Sequence, residues 1–282
     1  MCSTCGCGGE DATTRVTLVD GPEPVHAHDH PHDHAHPGDQ DHPYDHAHPH
    51  DQDHAHEHPH DHQHPHEHET RTVLLEQDIL AKNDLLAAAN RHRLAEHAVT
   101  AINLMSSPGS GKTTLLERTV RDLAGRRETL VIEGDQETWL DAQRIRSTGS
   151  RVVQINTGAG CHLDAEMLDR GLIELAPPDG SLVFVENVGN LVCPALFDLG
   201  ESARVVIISV TEGADKPAKY PYMFRTADLV LLNKIDLLPY VDFDVDLCLD
   251  LIRRLKPDVE LLPISATRGD GLDAWHDWLA AH

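Results

Sequence analysis

A run of small residues closed by a lysine, Ser106-Ser107-Pro108-Gly109-Ser110-Gly111-Lys112-Thr113-Thr114, stands between an apolar stretch ending at Met105 and a helical pattern beginning near Thr113. Its spacing is that of the phosphate-binding loop G-x-x-x-x-G-K-[ST], with Ser106 in place of the first glycine. In such a loop the backbone N–H groups and the helix N-terminus cradle phosphates, Lys112 neutralises the β and γ oxygens, and the Thr113 hydroxyl ligates magnesium. Further on, Asn233-Lys234-Ile235-Asp236 closes one apolar stretch and Ser265-Ala266 closes the next. A carboxylate at Asp236 would accept from both N1–H and the 2-amino group of guanine, a donor pair that adenine lacks. GTP is therefore expected over ATP, and rejection of a substrate without the matching hydrogen bonds can reach roughly 10⁴. Lys234 would lay its stem along the base, and Asn233 would brace the loops. Two further acids, Asp135 and Glu186, fall at the ends of apolar stretches, where α/β sheets bind their ligands; they are candidates for magnesium or for positioning water. Glu186 with Gly189 occupies the place of the D-x-x-G switch, in which the glycine amide senses the γ-phosphate.

A second set of residues has the chemistry of soft metals. Cys2, Cys5 and Cys7 put three thiols within six residues, with Gly6 allowing a tight wrap, and an α-amino group could complete four-coordination; this suits nickel or zinc. From His26 to His68 run 18 of the chain's 23 histidines, beginning His26, His28, His30, His32, His34, His36 and interleaved with Asp, Pro, Ala, Gln and Glu. Mostly neutral imidazoles beside carboxylates make a chelator for several divalent ions, a storage tract for nickel. Cys161-His162, expected to open a helix after Thr157-Gly158-Ala159-Gly160, and Cys193, in a loop seven residues past Glu186, are read as ligands for nickel or zinc. Cys248, inside the helical pattern Val245 to Leu255, is read as core.

These groups need a frame, and composition locates it. Residues 1–70 hold one base against 15 acids, a net charge of −14, and no apolar periodicity. Such a segment buries too little apolar surface to offset its ordering entropy, so it is expected to be a disordered, metal-binding extension when metal-free. Residues 71–282 carry nearly all the Leu, Ile and Val and form the second domain. An amphipathic helix is expected over Leu74 to His97. After it come seven short apolar runs, beginning at Val99, Thr129, Arg151, Ser181, Arg204, Ala227 and Val259, with helical segments between them. Continuous apolar strands belong to a mostly parallel sheet covered on both faces, so the expected fold is α/β and doubly wound. The formal net charge of −24 leaves no basic face for nucleic acid or membrane. No apolar run approaches a membrane span, and the start lacks the marks of a signal peptide, so a cytoplasmic location is expected.

Taken together, residues 71–282 closely resemble the HypB family of hydrogenase nickel-incorporation GTPases, in the signal-recognition, MinD and BioD-like class. The resemblance rests on Asp78-Ile79-Leu80-Ala81-Lys82-Asn83, the Ser106 to Thr114 loop, Gly158-Ala159-Gly160-Cys161-His162, and Glu186-Asn187-Val188-Gly189-Asn190-Leu191-Val192-Cys193-Pro194. It implies that Cys2, Cys5 and Cys7 form a high-affinity nickel site and that Cys161, His162 and Cys193 form a second metal site, in the GTPase domain. It further implies a HypA-type accessory partner, delivery of nickel to the large-subunit precursor of a [NiFe] hydrogenase, and a GTP-dependent homodimer that shares ligands. The urease accessory GTPases are the alternative in the same class, but their Cys-Pro-His motif is not matched, because Cys193-Pro194 is followed by Ala195. From other classes, a passive nickel store would leave Lys112, Thr113 and Asp236 without purpose, and an ATP-dependent kinase would make Asp236 incidental.

Overall fold

The computed structural model describes residues 14–19, 66–135, 139–158 and 160–282. Two compact units share the chain, a large one of residues 1–20 with 75–282 and a small one of residues 21–74. Of the small unit, only the start of helix α1 (His66–Glu96) is among the described residues. Cys2, Cys5, Cys7 and the histidines before His66 lie outside them.

Among the described residues the large unit is built on eight strands: β1 (Arg15–Leu18), β2 (Thr100–Ser106), β3 (Thr129–Asp135), β4 (Val152–Asn156), β5 (Leu182–Glu186), β6 (Ala203–Ser209), β7 (Leu229–Asn233) and β8 (Glu260–Pro263). They lie in the order β1-β4-β3-β5-β2-β6-β7-β8, parallel throughout except for β1 against β4. All seven expected apolar runs are strands. The eighth, β1, falls inside the segment 1–70 that the sequence assigns to the extension. It is an edge strand of four residues, too short for its pattern to stand out, and Val16 and Leu18 pack on the core.

Alternation along each strand feeds a layer on each face. On β2, Ile102 and Leu104 join Leu115 and Leu116 of α2 (Lys112–Leu123) and Trp275 of α9 (Leu272–Ala280). Ala101 faces the opposite layer, with Leu168 and Leu172 of α4 (Ala165–Leu175) and Leu94 of α1. Farther along that second face, Met105 meets Phe224 and the buried Cys248 of α8 (Val245–Leu255), which places Cys248 in the core as expected. Between these lie α3 (Leu140–Arg146), the one-turn helices α5 (Cys193–Leu196) and α6 (Lys216–Lys219), and α7 (Pro221–Thr226). From β2 the chain steps to one side, to β3, and returns to place β5 between them. After β5 it continues on the other side of β2, so the crevice at this reversal opens at the ends of β2, β3 and β5.

Candidate functional site

The phosphate loop leaves β2 at Ser106 and enters α2 at Lys112, with Gly109 and Gly111 at φ +76° and +95°. Gly111 is a position of close approach, since a Cβ there would stand 2.6 Å from Asn233 Nδ2. That amide donates to the Ser110 carbonyl (2.9 Å), while Asn233 Oδ1 accepts from Ala266 N (3.1 Å). One side chain thus ties the phosphate loop to the Ser265–Ala266 loop, the bracing expected of Asn233. Lys234, at φ +61°, reaches back to the Gly109 carbonyl (2.6 Å), so its stem lies across the loop. Asp236 accepts from Ser265 Oγ at 2.6 Å, which orients the carboxylate expected to read guanine. Thr114 points elsewhere, taking Arg144 Nη2 of α3 at 3.3 Å.

Glu186 ends β5 beneath the loop. Its Oε1 accepts from Lys112 Nζ (2.8 Å) and from Thr113 Oγ1 (2.6 Å). Its buried Oε2 has no hydrogen-bond partner among the described residues. A neighbour that the sequence reading did not single out completes the cluster: Glu133 pairs in register with Glu186 and is likewise buried, with an unpartnered Oε2. Burial, reinforced by the charges of Glu186 and Asp135 and opposed by Lys112, pushes the Glu133 carboxyl up to about 9. Asp135 follows two residues later on β3 and therefore faces the same way. Hard oxygen donors with orphaned carboxylate oxygens fit magnesium, which Thr113, Glu186 and Asp135 would hold. Gly189 packs on Pro108, where a Cβ would stand 3.2 Å from the ring, so the switch segment rests against the phosphate loop. Ser107 Oγ donates to Glu212 Oε2 (2.5 Å), a carboxylate also paired with Lys216 (2.8 Å). Both missed acids carry a legible signal: Glu133 is an acid inside an apolar strand, and Glu212 lies just beyond the end of β6.

Glu133 sets a pH dependence. In the protein free of nucleotide and metal it keeps its proton through neutrality, whereas in the unfolded chain it ionises above about 4.5. The unfolded state therefore binds fewer protons across that window, and stability falls as pH rises from there toward about 9. Glu133→Gln is expected to melt higher than wild type at pH 8, by about 4 °C or more, with the gap closing toward pH 5. Parallel melting curves across that range would contradict a buried protonated carboxyl.

The thiol cluster forms beside this site. Cys161 Sγ, a His162 ring nitrogen and Cys193 Sγ all lie within 4.8 Å of one another. Burial holds His162 below its ordinary value, against the pull of Asp164, which favours the neutral imidazole; its Nδ1 lies 3.7 Å from Cys161 Sγ and its ring stacks on Phe197 at 4.0 Å. Two local expectations are corrected. Cys161 and His162 precede α4 rather than open it, because Asp164 caps the helix by accepting from Met167 N (2.8 Å). Cys193 begins the one-turn helix α5 rather than lying in a loop, with Pro194 in the first turn, where a missing N–H costs nothing. Two asparagines of the Glu186 to Cys193 segment reach the loop that carries Cys161 and His162. Asn187 Oδ1 accepts from Leu163 N (3.1 Å), and Asn190 Nδ2 donates to the Cys161 carbonyl (3.4 Å).

Residues 98–263 match the family model described as CobW/HypB/UreG, nucleotide-binding domain. The chain is 57% identical over 210 residues to the hydrogenase maturation factor HypB of Azotobacter vinelandii, covering 74% of this chain and 69% of that one. Among solved structures it resembles HypB of Archaeoglobus fulgidus (40% identity, TM-score 0.67, covering 72% of this chain and 98% of that one). It also resembles HypB of Helicobacter pylori in complex with nickel (37%, TM-score 0.68, covering 71% and 94%). Fold and site define the class, a P-loop GTPase on a doubly wound sheet. The chain belongs to the CobW/HypB/UreG family and, within it, to the HypB hydrogenase maturation factors.

Proposed function

We propose that this protein is a GTP-hydrolysing nickel metallochaperone of [NiFe] hydrogenase maturation, which stores nickel in its N-terminal segment and hands it on under control of its GTPase cycle. The observation that carries the reading is the contact between the two sites. The segment that starts at Glu186, under the phosphate loop, hydrogen-bonds through Asn187 and Asn190 to the loop bearing Cys161 and His162, and it ends at Cys193.

For hydrolysis, Lys112 sits where β and γ oxygens would be held, and Glu186 orients both Lys112 and the Thr113 hydroxyl. Gly189, lodged against Pro108, would offer its backbone amide to the γ-phosphate. Magnesium, when bound, neutralises charge on the phosphates. Asp135 would position water. Asp236, held by Ser265, selects guanine, so Asp236→Ala should lose about 1.5–3 kcal/mol of GTP affinity, the scale of a hydrogen bond to a charged group. Competition between GTP and ATP checks this, and equal binding of the two by wild type would remove the assignment.

Nickel is the cargo. Two thiols and a neutral imidazole suit nickel, or zinc, in the domain site, and three ligands leave a tetrahedral ion one short. A GTP-favoured homodimer sharing ligands across its two-fold axis would supply the remainder. Residues 1–70 act as the metal-binding extension and 71–282 as the GTPase domain, with Cys2, Cys5 and Cys7 as the tight site and the tract from His26 to His68 as the store. A HypA-type accessory protein and the hydrogenase large-subunit precursor are the partners, in the cytoplasm. Among the described residues no helix is long and apolar enough to cross a membrane.

The test is nickel and GTP titration of the whole chain beside a deletion of residues 26–68. Most bound nickel should go while one tight site and full GTPase activity stay. Loss of the tight site would assign it to the histidines instead.

A further inference from the structure

The Asp78 to Asn83 motif on α1 has no part in nucleotide chemistry, yet its last residue is buried. Asn83 Nδ2 donates to the Asp198 carbonyl (2.7 Å) and its Oδ1 accepts from Ala165 N (2.9 Å). Seven residues on, two turns along the same face, Asn90 is buried too, and its Nδ2 donates to both the Ala165 carbonyl (2.8 Å) and the Leu199 carbonyl (3.0 Å). Each asparagine therefore bridges the same two segments. Ala165 ends the stretch that begins with Cys161 and His162, and Asp198 and Leu199 end the stretch that begins with Cys193. Ala165 is held at both its N–H and its carbonyl.

The neighbouring contacts make this a close fit rather than a passing touch. Gly200, at φ +86°, lies so near α1 that a Cβ would stand 2.7 Å from Asn90 Cβ. Arg91 makes two 2.8 Å bonds to the Asp198 carboxylate, and Lys82 pairs with Glu166 beside Ala165. Between the two segments, Phe197 stacks on His162, so a change in their spacing moves a ligand ring directly.

We propose that Asn83 and Asn90 are positioning residues for the domain metal site, a clamp by which α1 sets the distance between the Cys161–His162 loop and the Cys193 segment. The clamp rests on the reading of those three residues as a nickel site. Groups that orient metal ligands without touching the ion commonly govern about 10–100-fold of affinity.

The test uses the full chain with Cys2, Cys5 and Cys7 changed to Ser. Burial pushes the Cys248 thiol up to about 12, so the thiolates left to nickel are Cys161 and Cys193. A sulfur-to-nickel charge-transfer band then reports the domain site alone, and the histidine tract gives none. Nickel is titrated against a competing chelator. Asn83→Ala and Asn90→Ala should each raise the free nickel at half-saturation about tenfold, with GDP affinity unchanged. Thr119→Val, which removes the distant Trp275–Thr119 bond, should lower the melting temperature and leave the nickel titration alone. Where an alanine variant does not fold, Asn83→Asp keeps the acceptor for Ala165 and replaces the donor to Asp198 with a carboxylate oxygen. Half-saturation equal to that of the parent in Asn83 and Asn90 variants overturns the clamp. A parent with no band, or one whose band survives in the Cys161→Ala, Cys193→Ala double variant, overturns the site on which the clamp rests.

Discussion

Lys112→Ala is expected to lower GTP turnover by about 10³-fold, measured as phosphate release under saturating magnesium, because it removes the one loop cation aimed at the transferring phosphoryl group. The geometry also predicts a graded result at Glu186. Its Oε1 accepts from both Lys112 and Thr113. Glu186→Gln keeps an oxygen acceptor for those donors and loses the charge, so turnover should fall less, by about 10². GDP binding without magnesium should change little, since Gln still satisfies the Thr113 hydroxyl. Glu186→Ala, leaving Lys112 without its anionic partner, should approach the lysine variant. Wild-type turnover in Lys112→Ala would instead make the domain a passive nickel store.

A second large effect concerns nickel and nucleotide together. Nickel affinity at Cys161, His162 and Cys193 should differ about 5- to 150-fold between GDP and a non-hydrolysable GTP analogue. By linkage, nickel must then shift the preference between those nucleotides by the same factor. The physical route is short. Movement of the Glu186 to Gly189 segment carries Asn187, whose Oδ1 holds Leu163 N next to His162, and Asn190, whose amide holds the Cys161 carbonyl. It also carries the chain on toward Cys193. In the protein lacking Cys2, Cys5 and Cys7, Asn187→Ala should shrink the ratio toward one, while Cys193→Ala should weaken the charge-transfer band and the loss of Cys161 as well should remove it. Equal nickel affinities in the two nucleotide states would sink the coupling and leave both sites standing.

Much of the phosphate and base machinery was legible because its chemistry is local. Six consecutive residues, Ser107 to Lys112, set the turn, the amides and the cation of the phosphate loop, and Asn233 to Asp236 lie within four residues of one another. The strands were legible for a different reason. Strands covered on both faces must be apolar at nearly every position, so β2, β5 and β7 read as unbroken runs. Asp164 makes a better cap than the residues before Cys161, so α4 starts four residues after Cys161 and three after His162.

The sequence by itself determined the fold class, seven of the eight strands found among the described residues and the phosphate loop, and it singled out Asp236, Cys161, His162 and Cys193 as chemistry-bearing residues. What it could not determine were partners chosen by packing across long separations. Asn83 meets Asp198 at 115 residues' distance, Ser107 meets Glu212 at 105, and Asn187 meets Asn103 at 84. A short amide or carboxylate offers the same donors and acceptors wherever it stands. Which of them it uses, and whether burial turns Glu133 into a protonated acid, is decided only when the sheet brings β3 beside β5 and α1 against both segments that carry Cys161, His162 and Cys193.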